Sequence, residues 1–107
     1  MDWGMQSRMA RLIPPETGKA FFLAIDHGYF LGPTRSLERP GETVADLTPI
    51  ADALFVTRGV LRSAIPAEST PNVILRASGG PSIVGGTLEN ERLLLSAEEA
   101  IRLDAAA

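Results

Sequence analysis

Six consecutive apolar residues, AFFLAI at positions 20–25, end abruptly at Asp26, His27 and Gly28. An uninterrupted apolar run of this length predicts a strand buried on both faces, as in parallel sheets. Titratable residues directly after such a strand lie where α/β barrels and open α/β sheets carry their chemistry. The pattern therefore predicts a parallel α/β fold with a functional site at the carboxyl end of this strand.

The composition of the 107 residues is that of one small globular domain, and it narrows the classes of function. A net charge of −3, with scattered basic residues, argues against a nucleic-acid or membrane partner. The absence of cysteine excludes disulfides and thiolate metal sites and fits the cytoplasm. The apolar runs are far shorter than the ~20 residues of a membrane span, and no signal-peptide pattern is present.

Further apolar runs predict that strands and helices alternate along the chain. The predicted strands cover residues 20–25, 54–57 and 73–77, and the predicted helices cover 42–51, 60–65 and 97–107. Pro49 is expected to kink the first of these helices or to restart it at Thr48. Ser96 and Glu99 have the spacing of a capping box at the start of the last helix.

The remaining segments are predicted to be loops, with one exception. Residues 28–41 contain several glycines and prolines, and residues 78–82 are too rich in glycine for regular structure. Residues 92–95 are compatible with a short strand. Trp3 lies in an amphipathic segment that is expected to close the bottom of a barrel or to contact another subunit.

Strands that alternate with helices imply right-handed crossovers and a parallel sheet. The last helix would normally lead to a fourth strand, which the sequence does not show. A three-stranded parallel sheet leaves its edges bare, and a complete (β/α)₈ barrel takes ~250 residues. We therefore expect an α/β fold that is a partial (β/α)₈ barrel. Residues 20–107 would form its first three β/α units, and residues 1–19 an N-terminal extension.

Six short motifs occur in order along nearly the whole chain. They are DWGMQSR (2–8), AIDHGYF (24–30), GPT (32–34), TRG (57–59), LRS (61–63) and LRASG (75–79). In these motifs the chain resembles the N-terminal part of the phospho-autoinducer-2 thiolases, a family within the class I aldolase superfamily. Asp-His-Gly after a strand marks the superfamily, whereas DWGMQSR and LRASG point to the thiolase branch.

The resemblance implies a (β/α)₈ barrel, a homo-oligomer and a phosphorylated small-molecule substrate. It implies that a phosphorylated diketone is cleaved and its acetyl group transferred to coenzyme A, a co-substrate. It also implies a Schiff-base lysine on a late strand, and phosphate-binding loops after the last strands. Both regions lie beyond the residues matched here, so the chain alone is expected to be inactive.

Two alternative functions stay open. One is retro-aldol cleavage of a sugar phosphate by a fructose-bisphosphate-type class I aldolase, which the early strands barely distinguish from the thiolase. The other is a non-catalytic half-barrel that docks on a complementary partner.

Asp26 and His27 are the candidate catalytic residues. A carboxylate at this position can move a proton or pair with a Schiff-base lysine, and an imidazole can orient a substrate carbonyl. Each residue also has an ordinary explanation, since aspartate often caps loops and a lone histidine is often packed. With one histidine and no cysteine, no metal site is expected.

Arg58, Arg76 and Ser78 are the candidate substrate-binding residues, because they lie at or beyond the ends of the second and third strands. Arg58 can bind a phosphate or bridge two loops, and Ser78 can bind substrate or form a turn. Arg76 falls inside a strand and needs an acidic partner such as Asp26. Lys19 is the only lysine, and the strand places it roughly 20 Å from Asp26.

Overall fold

Three parallel strands form the centre of the molecule. The structure is a computed structural model, which describes residues 1–32, 34–69, 71–86 and 89–107. The strands lie in the order β1 (Phe22–Ala24), β2 (Ala53–Val56) and β3 (Asn72–Leu75). Phe22 lies opposite Ala53, which in turn lies opposite Asn72. The predicted parallel sheet is confirmed, with β2 in its middle.

Short helices connect and flank these strands. They are α1 (Trp3–Leu12), α2 (Gly28–Leu31), α3 (Pro40–Val44), α4 (Arg58–Ala64) and α5 (Ala97–Arg102), with 3₁₀ turns at Thr48–Ile50, Ala67–Ser69 and Ile83–Gly85. The prediction of one loop over residues 28–41 is wrong, because α2 lies within it and α3 begins at its end. The helix predicted over residues 42–51 is interrupted, because α3 ends at Val44 and a separate 3₁₀ turn begins at Thr48. This restart at Thr48 is the one expected from Pro49, which cannot donate within a helix.

A second, two-stranded sheet lies beyond β3. Its antiparallel strands are β4 (Ser78–Gly79) and β5 (Arg92–Leu93). The backbone N–H of Leu94 also donates to the carbonyl of Ala77, at 2.8 Å. The prediction that residues 78–82 lack regular structure is therefore wrong for Ser78 and Gly79, whereas the short strand expected at residues 92–95 is confirmed over Arg92–Leu93.

The two faces of the parallel sheet are covered differently. The outer face packs against α3, α4 and α5 through a core of apolar side chains. This core consists of Ile25, Val44, Val56, Val73, Leu75 and Leu95. Val56 is fully buried, and burying such a side chain contributes ~1.5–3 kcal/mol. The outer face therefore carries the larger of the two apolar clusters.

The inner face carries the other side chains of the strands, and β1 leaves much of it open. Phe22 is 42% exposed and Ala24 is also exposed. The prediction that β1 is buried on both faces is wrong for this reason: β1 is an edge strand, and only its outer face is covered. The end of the apolar run agrees with the prediction, since Ile25 is buried.

Helix α1 covers the inner face at the amino-terminal end of the sheet. Leu12 is buried there against Ala53, Ala106 and the partly buried Ile74. The Nδ2 of Asn72 donates to the carbonyl of Arg11 at 2.8 Å, which ties the start of β3 to the end of α1. This placement agrees with a helix that closes the bottom of a barrel, whereas Trp3 itself is 81% exposed.

The chain runs beside β3 once more after α5. The helix ends at Arg102, and Asp104 has a positive φ of 53° that turns the backbone. Ala105 forms a parallel bridge with Val73, and the N–H of Ala106 donates to the Val73 carbonyl at 2.8 Å. Residues 105–107 thus occupy the place of a fourth parallel strand, which corrects the prediction that there is none.

In the part of the chain that the structure describes, no helix has the length and apolar character that a membrane crossing requires.

Candidate functional site

The carboxyl ends of the three strands bring three polar side chains onto the inner face. Ala24, Phe55 and Ile74 lie opposite one another in the sheet. The pairing continues past the strands, because the N–H of Arg76 donates to the Val56 carbonyl at 2.9 Å. Two residues further along each strand, the same register aligns Asp26, Thr57 and Arg76. Because side chains alternate between the two faces, these three lie on the same face as Ala24, Phe55 and Ile74.

Asp26 and Arg76 form a largely buried ion pair at this position. Arg76 Nη1 lies 3.2 Å from Asp26 Oδ2, and their side chains are 21% and 7% exposed. Charged groups this far from water are retained when they are paired and hydrogen-bonded. The arginine inside the strand therefore has the acidic partner that the sequence requires, and that partner is Asp26.

Glu91 is a second acid on Arg76, and it comes from the segment just before β5. Its Oε1 contacts Arg76 Nη2, and its Oε2 accepts a hydrogen bond from Ser78 Oγ at 2.9 Å. Arg76 Nε also donates to the Ser78 carbonyl at 3.1 Å. Arg76 thus connects the ends of β1 and β3 with the β4–β5 sheet, through Ser78 of β4 and through Glu91 just before β5.

Two aromatic rings of α2 pack on the same guanidinium group. The Cζ of Arg76 lies 5.0 Å from the centre of the Tyr29 ring and 5.1 Å from that of Phe30. Arg76 Nη2 also donates to the Tyr29 hydroxyl at 3.4 Å. Cation–π contacts with partly desolvated rings contribute ~0.5–2 kcal/mol each, so α2 helps to fix the orientation of Arg76.

Arg76 keeps its positive charge in this environment. Burial by itself lowers the pKa of the guanidinium, but the hydrogen bond to Asp26 and the charges of Tyr29, Glu91 and Asp26 act in the opposite direction. The net result is a pKa above the ordinary arginine value. The site therefore contains a fixed cation that does not lose its proton in the physiological range.

Gly79 allows the β4–β5 sheet to approach α2. A Cβ atom on Gly79 would lie 2.6 Å from Leu94 Cδ1 and 2.9 Å from Tyr29 Cε2. Contacts this short require both side chains to move. The glycine in β4 is thus needed for close packing of the site, and the sequence gives no signal of this beyond the residue type.

A cleft of about 210 Å³ opens next to Arg76. It is lined by Tyr29, Thr57, Arg58, Gly59, Arg76, Ser78 and Leu94. The structure thus brings together the three residues expected to bind substrate. Arg58 also binds Glu99 of α5 at 2.8 Å, and Arg62 binds the other Glu99 oxygen at 3.0 Å. This cluster of two arginines and one glutamate carries one uncompensated positive charge beside the cleft.

The predicted catalytic residues are not among those that line the cleft: Asp26 is connected to it through its ion pair with Arg76. His27 immediately precedes α2, is partly buried and is not among the residues that line the cleft. Lys19 is exposed and lies before β1, at the opposite end of the strand from Asp26. Ser96 Oγ accepts from the Glu99 N–H at 3.1 Å, which confirms half of the capping box, whereas the Glu99 carboxylate binds the arginines.

The described residues include no group of three or more side chains able to hold a metal ion. Glu91 belongs to the site but was not predicted from the sequence. The residues around position 91 carry no pattern that connects them to Arg76. The one indication was indirect: an arginine in a strand needs acidic partners.

Comparisons with known proteins show which sequences and solved structures the chain is similar to. No protein-family model matches the sequence. The chain is 50% identical over all 107 of its residues to 3-hydroxy-5-phosphonooxypentane-2,4-dione thiolase of Escherichia coli K12, and it spans 36% of the length of that protein. The thiolase of the same name from Yersinia pseudotuberculosis is 50% identical over the same 107 residues, again with 36% of its length covered.

Solved structures agree in fold. A Schiff-base-forming fructose-1,6-bisphosphate aldolase superimposes with a TM-score of 0.74 at 24% identity, over 96% of this chain and 42% of that one. An archaeal fructose-1,6-bisphosphate aldolase gives a TM-score of 0.71 at 22% identity, with the same coverage of 96% and 42%. The predicted partial (β/α)₈ barrel is thereby confirmed. Over its whole length the chain resembles the phosphonooxypentanedione thiolases in sequence and the class I aldolases in fold.

Proposed function

We propose that this chain contributes the first three β/α units and one wall of the active site to a Schiff-base thiolase. The enzyme would cleave 3-hydroxy-5-phosphonooxypentane-2,4-dione, transfer the acetyl group to the thiol of coenzyme A and release dihydroxyacetone phosphate. The observation that carries the proposal is the ion pair of Asp26 and Arg76 at the carboxyl ends of the strands. Chemistry in (β/α)₈ barrels takes place at this end.

Asp26 and His27 are proposed to act on the reacting atoms. Asp26 lies at the top of β1, where its carboxylate can take part in proton transfer around a Schiff base. Arg76 would position Asp26, since it holds one carboxylate oxygen at 3.2 Å. His27 directly follows Asp26 and would orient the substrate. Neither Asp26 nor His27 is among the residues that line the cleft in this structure, so both roles require a substrate that extends beyond those lining residues.

Arg58, Arg76 and Ser78 are proposed to bind the substrate. Arg58 lines the cleft, and its cluster with Arg62 and Glu99 carries one net positive charge, which favours a phosphorylated molecule. Coenzyme A is proposed as co-substrate. A homo-oligomer is proposed from the resemblance alone, and a cytoplasmic location from the absence of cysteine.

The Schiff-base lysine of such an enzyme must come from outside residues 1–107. Lys19 is the only lysine present, and it lies at the other end of β1 from Asp26. We therefore expect that borohydride treatment of this chain with dihydroxyacetone phosphate gives no covalent adduct, as measured by mass spectrometry. An adduct on Lys19 that depends on Asp26 would contradict the proposed arrangement.

A chimera tests the activity directly. This chain would replace the 107 residues of the Escherichia coli thiolase that it matches at 50% identity. The expected result is formation of acetyl-coenzyme A from the phosphorylated diketone. Replacing Asp26 by alanine in the chimera should lower kcat by roughly 10²–10⁴-fold, the usual contribution of a proton-transfer group. Replacing the exposed Asp46 by alanine is the matched control and should leave kcat unchanged.

The same chimera separates the alternatives. Cleavage of fructose 1,6-bisphosphate without consumption of coenzyme A would favour the aldolase reaction. A folded chimera with neither activity would favour the non-catalytic half-barrel and would overturn the proposed function.

A further inference from the structure

Three hydroxyl groups line the cleft next to Arg76, and they differ in what they already bind. Ser78 Oγ donates its proton to the carboxylate of Glu91 at 2.9 Å. Thr57 Oγ1 accepts from a backbone N–H at the start of α4. Tyr29 Oη accepts from Arg76 Nη2 at 3.4 Å, and a guanidinium can only donate. The proton of Tyr29 therefore needs an acceptor other than Arg76.

The Tyr29 proton is available to a molecule bound in the cleft. Among the residues that the structure describes, none accepts a hydrogen bond from Tyr29 Oη. Its oxygen also accepts from a cation, and hydrogen bonds in a chain polarise one another. The hydroxyl of Tyr29 is thus a stronger donor than a phenol that is bound only by water.

The ring of Tyr29 is fixed by its neighbours before any ligand arrives. The Cζ of Arg76 lies 5.0 Å from the ring centre, and the ring of Phe30 packs against it edge to face, with centres 5.3 Å apart. Gly79 approaches so closely that a Cβ atom there would lie 3.0 Å from Tyr29 Oη. A donor that is already in place when charge develops on a substrate needs no reorganisation during the reaction.

The acceptor that we assign to this donor rests on the proposed function. The name of the diketone places its phosphate on carbon 5 and its acetyl carbonyl at carbon 2, so the two groups lie at opposite ends of the molecule. The resemblance to the thiolases implies that the phosphate is bound by loops after the last strands. The acetyl end is then the part of the substrate that can reach a cleft at the ends of β2 and β3.

We propose that Tyr29 is a further catalytic residue, whose O–H donates to the oxygen of the acetyl carbonyl. When the sulfur of coenzyme A bonds to carbon 2, the π electrons of this carbonyl move to its oxygen, and Tyr29 stabilises the resulting oxyanion. The carbonyl then forms again and the bond between carbons 2 and 3 breaks. Its electron pair passes to carbon 3, next to the Schiff base at carbon 4. Asp26 carries the proton that the thiol loses to carbon 3, and Tyr29 keeps its own proton.

Tyr29→Phe in the chimera with the Escherichia coli thiolase tests the proposal, because it removes the hydroxyl and keeps the ring. The kcat for formation of acetyl-coenzyme A should fall by roughly 10²–10³-fold, the usual effect of losing one donor to an oxyanion. The KM for the diketone should stay nearly the same, since the interaction strengthens only as charge develops. Ser63→Ala is the matched control. It removes an exposed hydroxyl of α4 that donates to the Gly59 carbonyl at 2.8 Å, and it should leave kcat unchanged.

The separation of kcat from KM distinguishes a catalytic hydroxyl from an ordinary contact. An unchanged kcat in Tyr29→Phe would overturn the proposal, as would an equal loss in Ser63→Ala. A rise in KM without a fall in kcat would also overturn it, because Tyr29 would then bind substrate and transition state alike. If Tyr29→Phe does not fold by circular dichroism, 3-fluorotyrosine at position 29 replaces it. Its phenol is a stronger donor of nearly the same shape, so kcat must then rise for the proposal to stand.

Failure of this role and failure of the proposed function give different results. A chimera that forms acetyl-coenzyme A and depends on Asp26, but keeps its kcat in Tyr29→Phe, refutes only the role of Tyr29. A folded chimera that forms no acetyl-coenzyme A refutes both, because no acetyl carbonyl is then attacked.

Discussion

Replacing Asp26 by asparagine removes the buried charge that faces Arg76 and preserves the size of the side chain. Because Asp26 is only 7% exposed, water and salt screen the pair weakly. A hydrogen bond to a charged group contributes ~1.5–3 kcal/mol, and breaking a fully buried pair costs ~3–5 kcal/mol. Arg76 is 21% exposed and keeps Glu91, so we expect the free energy of unfolding to fall by about 2–3 kcal/mol.

Urea unfolding followed by circular dichroism measures this loss. The exposed pair of Glu98 and Arg102 provides the control, since Glu98→Gln should cost no more than ~0.5 kcal/mol. A double-mutant cycle of Asp26→Asn with Arg76→Met should show a coupling energy of ~1–3 kcal/mol. The reasoning is refuted if Asp26→Asn costs no more than the control, or if the two substitutions are additive.

Further outcomes are expected for two glycines, for Leu12 and for Arg76. Gly79→Ala should lower stability by ~1–3 kcal/mol through contact with Leu94 and Tyr29. A Cβ atom on Gly59 in α4 would meet open space, so Gly59→Ala should be neutral or stabilise the protein by up to ~1 kcal/mol. Thermal melting of the two glycine variants measures this difference. Leu12→Ala should cost ~2–3 kcal/mol, because Leu12 joins α1 to a small cluster, and hydrogen exchange should show early opening of α1. The pKa of Arg76 is raised in the folded state, so the stability that its charge contributes is fully present below the ordinary arginine pKa and is lost as the pH rises through the folded-state value. The stability difference between the protein and Arg76→Met should therefore stay constant between about pH 7 and pH 9 in urea titrations, below the range in which phenols ionise.

The strands could be predicted because their apolar runs are local signals. Residues 54–57 and 73–77 correspond to β2 and β3 within two residues at either end, and alternation with helices implied the parallel order. The requirement of a buried Arg76 for an acid also pointed to Asp26, since a charge in a strand interior cannot remain unpaired.

The start of α3 could not be predicted from residue types alone. Pro40 and Gly41 were both interpreted as residues that break structure. Pro40 instead starts the helix, where its missing N–H has no consequence. A Cβ on Gly41 would lie 2.3 Å from the carbonyl oxygen of Ala64, so this glycine allows α3 to approach α4 closely. Such packing is a property of two distant segments and leaves no local pattern.

The role of Glu91 escaped prediction for a related reason. The pairing of β4 with β5 brings it to Arg76, and both strands have only two residues. A short apolar run indicated β5, but β4 is too short to show a periodicity, so the pairing of the two could not be predicted. The useful signal is electrostatic: an arginine with more hydrogen-bond donors than one carboxylate can accept invites a search for a second acid.

The exposed inner face of β1 and the placement of residues 105–107 have one common explanation. In a (β/α)₈ barrel the inner face of each strand is covered by strands across the barrel, and each helix leads to the next parallel strand. In the part of the chain that the structure describes, α3, α4 and α5 cover the outer face of the sheet. The inner face is covered at its bottom by α1. Residues 105–107 already lie in the next strand position beside β3. Because all these strands end at the same rim, groups contributed by further strands would meet Asp26 and Arg76 there, which is where the proposed chemistry needs them.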